Sequence, residues 1–149
     1  MPDINSEATI GCEAPIAVDV RFATPEVILF SSDVERACAF YRRLGFQETF
    51  RVPEHGAPIH VDLSLDGYKI GFASFASARQ DHGLEPATAR QRATITLWTD
   101  DTAHAYRTLT AAGIPGLAEP HTFLGRLLIA WVQDPDGHPI QLVQRFMDT

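Results

Sequence analysis

The sequence predicts an α+β fold in which two βαβββ modules form a curved mixed sheet around a cavity, with the helices outside. Three pairs of residues mark the repeat: Asp33 with Asp101, Gly45 with Gly113, and Gly67 with Gly137. The first two pairs are separated by 68 residues and the third by 70, an agreement that unrelated segments have no reason to share. One such module cannot cover both faces of its own sheet, so pairing two modules leaves a concave inner surface where a ligand cavity would lie.

The first module begins with the short strand pattern PEVILF, and a helix pattern follows in SSDVERACAFYRRLG. Ser32 and Glu35 have the spacing of a capping box, and Gly45 is placed as the helix stop. The segments FQETFRV, APIHVDLSL and YKIGFAS predict three strands, with Asp66 and Gly67 as a two-residue hairpin turn. The module therefore runs strand, helix, then three strands.

The second module repeats that order. The segment ATITLW predicts a strand, DDTAHAYRTLTAAG a helix, and GLAEPHTF, RLLIAWVQ and HPIQLVQ three further strands, with DPDG as the last turn. These bounds divide the chain into an N-terminal extension (residues 1–22) and one domain (23–149). Within the domain, module one spans about 24–75, a polar linker 76–92, and module two about 93–146.

Composition excludes several classes of partner. The formal net charge is −7 and the pI is near 5.2, so nucleic acid and anionic membrane surfaces would meet like charge. No apolar run has the length of a membrane span, and the N-terminus lacks the basic start of a signal peptide. Cys12 and Cys38 do not form a disulfide framework, and Cys38 lies on the apolar stripe of its helix as a buried hydrophobe. A cytoplasmic location and a small-molecule partner are expected.

Two motifs resemble those of the vicinal oxygen chelate superfamily. They are D-x-x-x-A-x-x-F-Y-x-x-L-G-F at Asp33 to Phe46 and DPDG-x-x-I-x-L at Asp134 to Leu142. That superfamily contains glyoxalase I, extradiol dioxygenases, fosfomycin-inactivating enzymes and bleomycin-resistance-type binding proteins. The likeness covers residues 24–145 and implies the paired-module fold, whereas the activity depends on the site because one scaffold carries both catalysts and binders.

The resemblance also implies four positions for metal ligands. The first-strand ligand lies seven residues before the helix-start aspartate, and the last-strand ligand four residues after the hairpin glycine. In this sequence those positions hold Glu26 and Gly71 in module one and Thr94 and Gln141 in module two. One carboxylate, one amide, one hydroxyl and no side chain make a poor set for a divalent ion. We therefore expect no metal and no cofactor, with the metal-free bleomycin-resistance-type binders as the most similar group.

Strand alternation extends the expected cavity wall. If Thr94 faces the cavity, Thr96 and Trp98 do so as well, while Ile95 and Leu97 face the other side. By the same alternation Ile129 and Trp131 line the wall, and Phe30 joins Glu26. The expected ligand-binding residues are Glu26, Phe30, Thr94, Thr96, Trp98, Ile129, Trp131 and Gln141. The two tryptophans predict a stacking surface for a planar ligand, although a core or dimer-interface role fits them equally well.

The histidines do not form a recognised metal motif. No H-x-H or H-E-x-x-H pair is present, and the histidines at 104 and 138 are expected to be solvent-exposed. His60 and Asp62 share one face of their strand, for which a polar outer face is the favoured interpretation. A metal site off the family pattern, made by these two residues with Glu26, stays open.

The leading hypothesis is a cytoplasmic small-molecule-binding protein of the bleomycin-resistance type. It would sequester a planar natural product or antibiotic, aromatic or, given the net negative charge, cationic, and it would act as a homodimer. The alternative is a lyase, isomerase, cyclase or dioxygenase of the same superfamily, which would use Glu26 as a base or an atypical metal site. A non-catalytic interaction domain ranks third.

Overall fold

A computed structural model describes residues 21, 24–86 and 93–146 of the 149-residue chain. All of the predicted N-terminal extension except residue 21, and residues 87–92 of the predicted linker, lie outside the described residues. The elements, in chain order, are β1 (Val27–Ser31), α1 (Val34–Arg43), β2 (Gln47–Val52), β3 (His60–Leu65), β4 (Tyr68–Ser74), α2 (Phe75–His82), β5 (Ile95–Trp98), α3 (Thr102–Ala111), β6 (Gly116–Phe123), β7 (Leu127–Gln133) and β8 (Pro139–Arg145).

The two modules have the same topology. The strand orders are β1-β4-β3-β2 and β5-β8-β7-β6. In each sheet the first pair is parallel and the other two pairs are antiparallel, so both sheets are mixed. The α+β class and the βαβββ repeat are thus confirmed. Among the described residues each module contributes one four-stranded sheet, and there is no closed barrel.

The turn between β3 and β4 is the predicted two-residue hairpin. Asp66 has φ 51° and Gly67 has φ 81°. Two successive residues with positive φ are characteristic of a type I′ turn, whose twist matches that of the strands it joins. This turn sets the register in which Gly71 on β4 lies beside Asp62 on β3.

Helix α1 begins one residue later than the predicted capping box requires. Asp33 is the N-cap, and its carboxylate accepts a hydrogen bond from the Arg36 N–H at 3.0 Å. Ser32 therefore does not cap the helix, and Glu35 instead forms an ion pair with Arg51 of β2 at 2.7 Å. Aspartate satisfies a free helix N–H as well as serine does, and its charge also interacts favourably with the helix dipole.

Helix α2 lies in the first half of the segment that we expected to be a linker. Ser74 caps it by accepting a hydrogen bond from the Ser77 N–H at 3.0 Å, and Gly83, with φ 66°, ends it. Sequence analysis missed this helix because its apolar face is weak. The serine before it and the glycine after it were the available signals.

A shared core joins the two modules on the helix side of the sheets. Alternate residues of β3 and β4, among them Val61, Leu63 and Phe72, pack against α1 and belong to the same cluster as Val132 and Ile140 of module two. Polar contacts also cross between the modules. Tyr41 Oη donates to Asp134 Oδ2 at 2.7 Å, and Ser31 Oγ donates to Asp136 Oδ2 at 2.7 Å. No helix in the described ranges has the length and hydropathy needed to cross a membrane.

Cys38 is buried in this core, as the helix stripe predicted, with 0 % exposure. Burial raises the pKa of its thiol to about 11. In a Cys12→Ser variant we therefore expect Cys38 to resist iodoacetamide under native conditions and to react once urea unfolds the chain, because the thiolate is the nucleophile. Mass spectrometry of the alkylated protein checks this, and rapid native labelling would contradict it.

Candidate functional site

The inner face of module one carries a cluster of ionisable side chains. Gly71 on β4 pairs with Ile28 of β1 on one side and with Asp62 of β3 on the other. A Cβ placed on Gly71 would lie 2.8 Å from Glu26 Oε1 and 3.0 Å from Asp62 Oδ1. The two carboxylates thus occupy the space over the glycine.

A histidine and a lysine lie beside these carboxylates. His60 Nε2 lies 2.7 Å from Asp62 Oδ1. Lys69 Nζ lies 3.9 Å from Glu26 Oε2 and 3.9 Å from Asp62 Oδ2. The remaining oxygen, Glu26 Oε1, is buried and has no hydrogen-bond donor among the described groups. A buried acceptor without a donor is rare and indicates a bound proton, ion or ligand.

The cluster shifts the pKa values of its two carboxyl groups in opposite directions. Hydrogen bonding to Asp62, together with burial and the charge of Asp62, raises the pKa of Glu26. Burial alone would raise the pKa of Asp62, but hydrogen bonds from Glu26 and His60 outweigh it and lower that pKa. Two carboxylates this close repel each other, so a proton or a cation between them stabilises the arrangement.

His60 and Asp62 therefore lie on the inner face of the sheet. Sequence analysis had favoured the outer face, and that interpretation was wrong. The residues that alternate with them on β3, Val61 and Leu63, pack under the helices, and this packing turns His60 and Asp62 to the inner face. Sequence alternation showed that the pair shares a face. Only the packing of the helices decides which face that is.

The four metal positions implied by the resemblance do not fit a divalent ion. Gly71 has no side chain that could supply a metal-ligand atom, and Thr94 is exposed. Gln141 Oε1 accepts a hydrogen bond from Thr96 Oγ1 at 3.2 Å. Of these positions only Glu26 holds a strong ligand, so no metal chemistry can be assigned to this set.

The inner face of module two is aromatic and polar. Gln141 lies in β8 between Thr96 of β5 and Trp131 of β7, so the three side chains form one row across the sheet. The next row joins Trp98, Val143 and Ile129. Gln141 and Thr96 thus supply hydrogen-bonding groups beside the indole of Trp131. Ile95 and Leu97 face the core, as alternation predicted.

Trp98 borders an open groove at the end of this face. Its side chain is 56 % exposed, and the Arg145 guanidinium carbon lies 4.4 Å from the ring centroid. The groove has a volume of about 370 Å³, and its lining residues are Trp98, Leu124, Arg126, Leu127, Arg145 and Phe146. Sequence analysis missed the two arginines. Continued alternation along β8 from Gln141 would have placed Arg145 on the inner face.

The remaining expected residues are divided between the two modules. Phe30 is partly buried on β1, where it pairs with Ala73 of module one. Ile129 is 4 % exposed and lies beneath the surface of module two, while Trp131 is partly buried. The structure thus places Glu26 and Phe30 in module one, and the threonines, the tryptophans, Ile129 and Gln141 in module two.

His138 was expected to be exposed in the last turn, but it is only 1 % exposed. Its ring Nδ1 lies 2.8 Å from Asp134 Oδ2, and its backbone N–H donates to Asp134 Oδ1 at 2.8 Å. Asp134 also accepts hydrogen bonds from Tyr41 and from the Asp136 backbone. Contact with the other module buries the turn, and no local turn signal predicts such burial. His104 is exposed, as expected.

Comparison with solved structures shows the same fold. A hypothetical protein from S. aureus aligns with a TM-score of 0.70 and 19 % identity, over 84 % of this chain and 95 % of that one. A superfamily member from Sphaerobacter thermophilus aligns with a TM-score of 0.64 and 25 % identity, over 85 % and 99 %. Lactoylglutathione lyase from Agrobacterium tumefaciens aligns with a TM-score of 0.61 and 19 % identity, over 82 % and 92 %.

No curated protein sequence matches the chain significantly. A family model does match, over residues 23–142, and it describes proteins that share this fold while differing in function. The match spans both modules and includes both of the motifs on which the resemblance was based. The chain belongs to the Glyoxalase/Bleomycin resistance protein/Dioxygenase superfamily.

Proposed function

We propose that this protein is a small-molecule-binding member of the superfamily, of the bleomycin-resistance type, and that its ligand is flat and carries a negative charge. The observation that supports this most directly is the exposed indole of Trp98, with Arg145 stacked on it, at the edge of a groove of about 370 Å³. A groove of this size, with aromatic and aliphatic walls and two arginines that can orient a ligand, has the character of a small-molecule site.

The local charge favours an anionic ligand over the cationic one expected from net charge. Arg126 and Arg145 line the groove, and none of its lining residues is acidic. A guanidinium group binds carboxylate, sulfonate or phosphate through two parallel hydrogen bonds, and its planar shape stacks on aromatic rings. The net charge of −7 belongs to the whole chain and does not describe this groove.

We further infer that two copies of the chain pair through their inner faces. Both faces expose apolar side chains that a soluble monomer would rarely leave together: Ile28 and Phe50 in module one, and Trp98 and Phe123 in module two. A symmetric dimer in which module one of one copy covers module two of the other would bury both faces. Sedimentation equilibrium tests this, and a monomer at micromolar concentration would contradict it.

The binding proposal is tested with two flat dyes of opposite charge, anilinonaphthalene sulfonate and proflavine. We expect the sulfonate to bind with higher affinity, and Trp98→Ala to weaken its binding about tenfold, which corresponds to about 1.4 kcal/mol of stacking energy. Calorimetric titration is the appropriate measurement because it does not depend on tryptophan fluorescence.

Tyr68→Ala is the matched control, since Tyr68 is an exposed aromatic residue at the start of β4 in module one. This variant should bind the sulfonate dye as the wild type does. Arg145→Met should weaken sulfonate binding and leave proflavine binding unchanged. Stronger binding of proflavine, or equal sulfonate affinity in Trp98→Ala and the wild type, would refute the proposal.

A further inference from the structure

We propose that Glu26, His60 and Asp62 form a binding site for a divalent cation, with Zn²⁺ as the best-matched ion. The ligand atoms would be Glu26 Oε1, His60 Nε2 and Asp62 Oδ1. The site lies on the inner face of module one and shares only Glu26 with the four positions implied by the superfamily pattern. It does not depend on the groove at Trp98.

The three side chains already have the spacing of a metal site. They offer one ligand atom each, and these atoms all lie within 4.8 Å of one another. Ligand atoms each about 2.0–2.2 Å from one tetrahedral zinc ion lie about 3.3–3.6 Å apart, so His60 Nε2 and Asp62 Oδ1, now 2.7 Å apart, would separate by less than about 1 Å to bind it. The side chains of His60 and Asp62 are largely buried, at 23 % and 11 % exposure, which limits competition from water.

One carboxylate oxygen in the cluster has no cation or N–H group beside it in the described part of the chain. Glu26 Oε1 is buried without a donor among the described groups. The other oxygen of Glu26, Oε2, faces the ammonium group of Lys69 at 3.9 Å, as does Asp62 Oδ2. Lys69 thus holds the outer oxygens of both carboxylates and orients the inner ones toward His60, as residues that support metal ligands commonly do.

Gly71 provides the space for this arrangement. Its ideal Cβ position lies 2.8 Å from Glu26 Oε1 and 3.0 Å from Asp62 Oδ1, closer than real Cβ contacts allow. Any larger residue at this position would push the carboxylates apart. The glycine that removes a ligand from the superfamily pattern is therefore the residue that lets ligands from β3 take its place.

The donor set identifies the class of ion. One imidazole nitrogen and two carboxylate oxygens suit a borderline ion such as Zn²⁺ better than Ca²⁺ or Mg²⁺, which prefer oxygen alone. Three protein ligands leave at least one position for water or a ligand atom, which is the arrangement of catalytic rather than structural zinc sites. The ion would act as a Lewis acid on whatever molecule enters the inner face.

The experiment is calorimetric titration of Zn²⁺ into the metal-stripped full chain near neutral pH. We expect one ion per chain, and we expect Glu26→Gln and His60→Ala to weaken its binding on the order of 100-fold or more. Glu54→Gln, at an exposed acid outside the cluster, is the matched control and should bind zinc as the wild type does. In wild type, zinc should also shift the NMR signals of the His60 ring.

Gly71→Ala provides an independent test because it alters neither charge nor ligands. Its Cβ should displace Glu26 Oε1 and weaken zinc binding, while circular dichroism and the affinity of the Trp98 groove for the sulfonate dye stay as in the wild type. Asp136→Asn probes the other cluster with metal-site spacing, formed by Asp134, Asp136 and His138. Absence of zinc binding, or binding that Asp136→Asn abolishes and Glu26→Gln leaves intact, would overturn the proposal.

Discussion

Replacing Asp134 by alanine is expected to lower the free energy of unfolding by about 3–5 kcal/mol, the largest effect of any substitution proposed for this chain. Asp134 is almost fully buried, and its carboxylate accepts hydrogen bonds from Tyr41 Oη at 2.7 Å and from the backbone N–H groups of Asp136 and His138 at 2.9 and 2.8 Å. Alanine leaves these donors, and the His138 ring, buried without an acceptor. Each unsatisfied group costs about 1–3 kcal/mol.

Thermal unfolding followed by circular dichroism checks this result, and the melting temperature should fall by roughly 10 °C or more. Asp100→Ala, at an exposed position before α3, is the control and should change stability by less than about 0.5 kcal/mol. Tyr41→Phe removes only one donor and should cost about 1–2 kcal/mol. A loss in Asp134→Ala no larger than that in the control would mean that the network contributes nothing.

The second large effect is a fall in the free energy of unfolding at low pH, which we expect to result from protonation of Asp134. Burial by itself would raise the pKa of Asp134, but hydrogen bonds from His138 and Tyr41 outweigh burial and lower it. The folded state therefore binds fewer protons than the unfolded state as the pH falls below the ordinary aspartate pKa of about 3.9. The stabilisation that Asp134 contributes is fully present above the ordinary aspartate pKa. It is lost as the pH falls through the lower pKa that Asp134 has in the folded state.

Urea unfolding of wild type and Asp134→Asn over a series of pH values measures the effect. For one proton the slope of stability against pH approaches about 1.4 kcal/mol per unit, and the asparagine variant should lack that contribution. Asp134→Asn should be less stable at neutral pH, and its difference from wild type should narrow in acid. If the difference in unfolding free energy between the two proteins stayed constant with pH, the prediction would be wrong, because the loss of stability in acid would then be due to another carboxylate.

The fold was predictable because its signals are local and repeated. The helix-stop glycines and the hairpin turn at Asp66 and Gly67 act through backbone conformation, which depends on the residue itself and its immediate neighbours. Helix α2 was missed because its apolar stripe is weak. The cap of α1 was assigned to Ser32 instead of Asp33, since either residue satisfies the same donors.

The candidate sites were predictable only in part. The resemblance placed Thr94 and Gln141 on the cavity wall, and alternation from Thr94 added Thr96 and Trp98. The same rule extended along β8 would have included Arg145. Alternation did not show that Glu26 and Asp62 meet over Gly71. That contact depends on the register of three strands, which is set by turns and packing rather than by the composition of any one strand.

The sequence by itself determined the repeat, the order of helices and strands, the resemblance to the superfamily and the four metal positions which that resemblance implies, because each rests on short motifs and on their spacing along the chain. The tertiary structure alone decided which faces are buried and which distant groups meet. It turned His60 and Asp62 inward toward Glu26, and it buried His138 against Asp134. It also brought the arginines to Trp98. Burial and hydrogen bonding between distant residues are properties of the packed chain, and these contacts define the sites where we expect chemistry and binding.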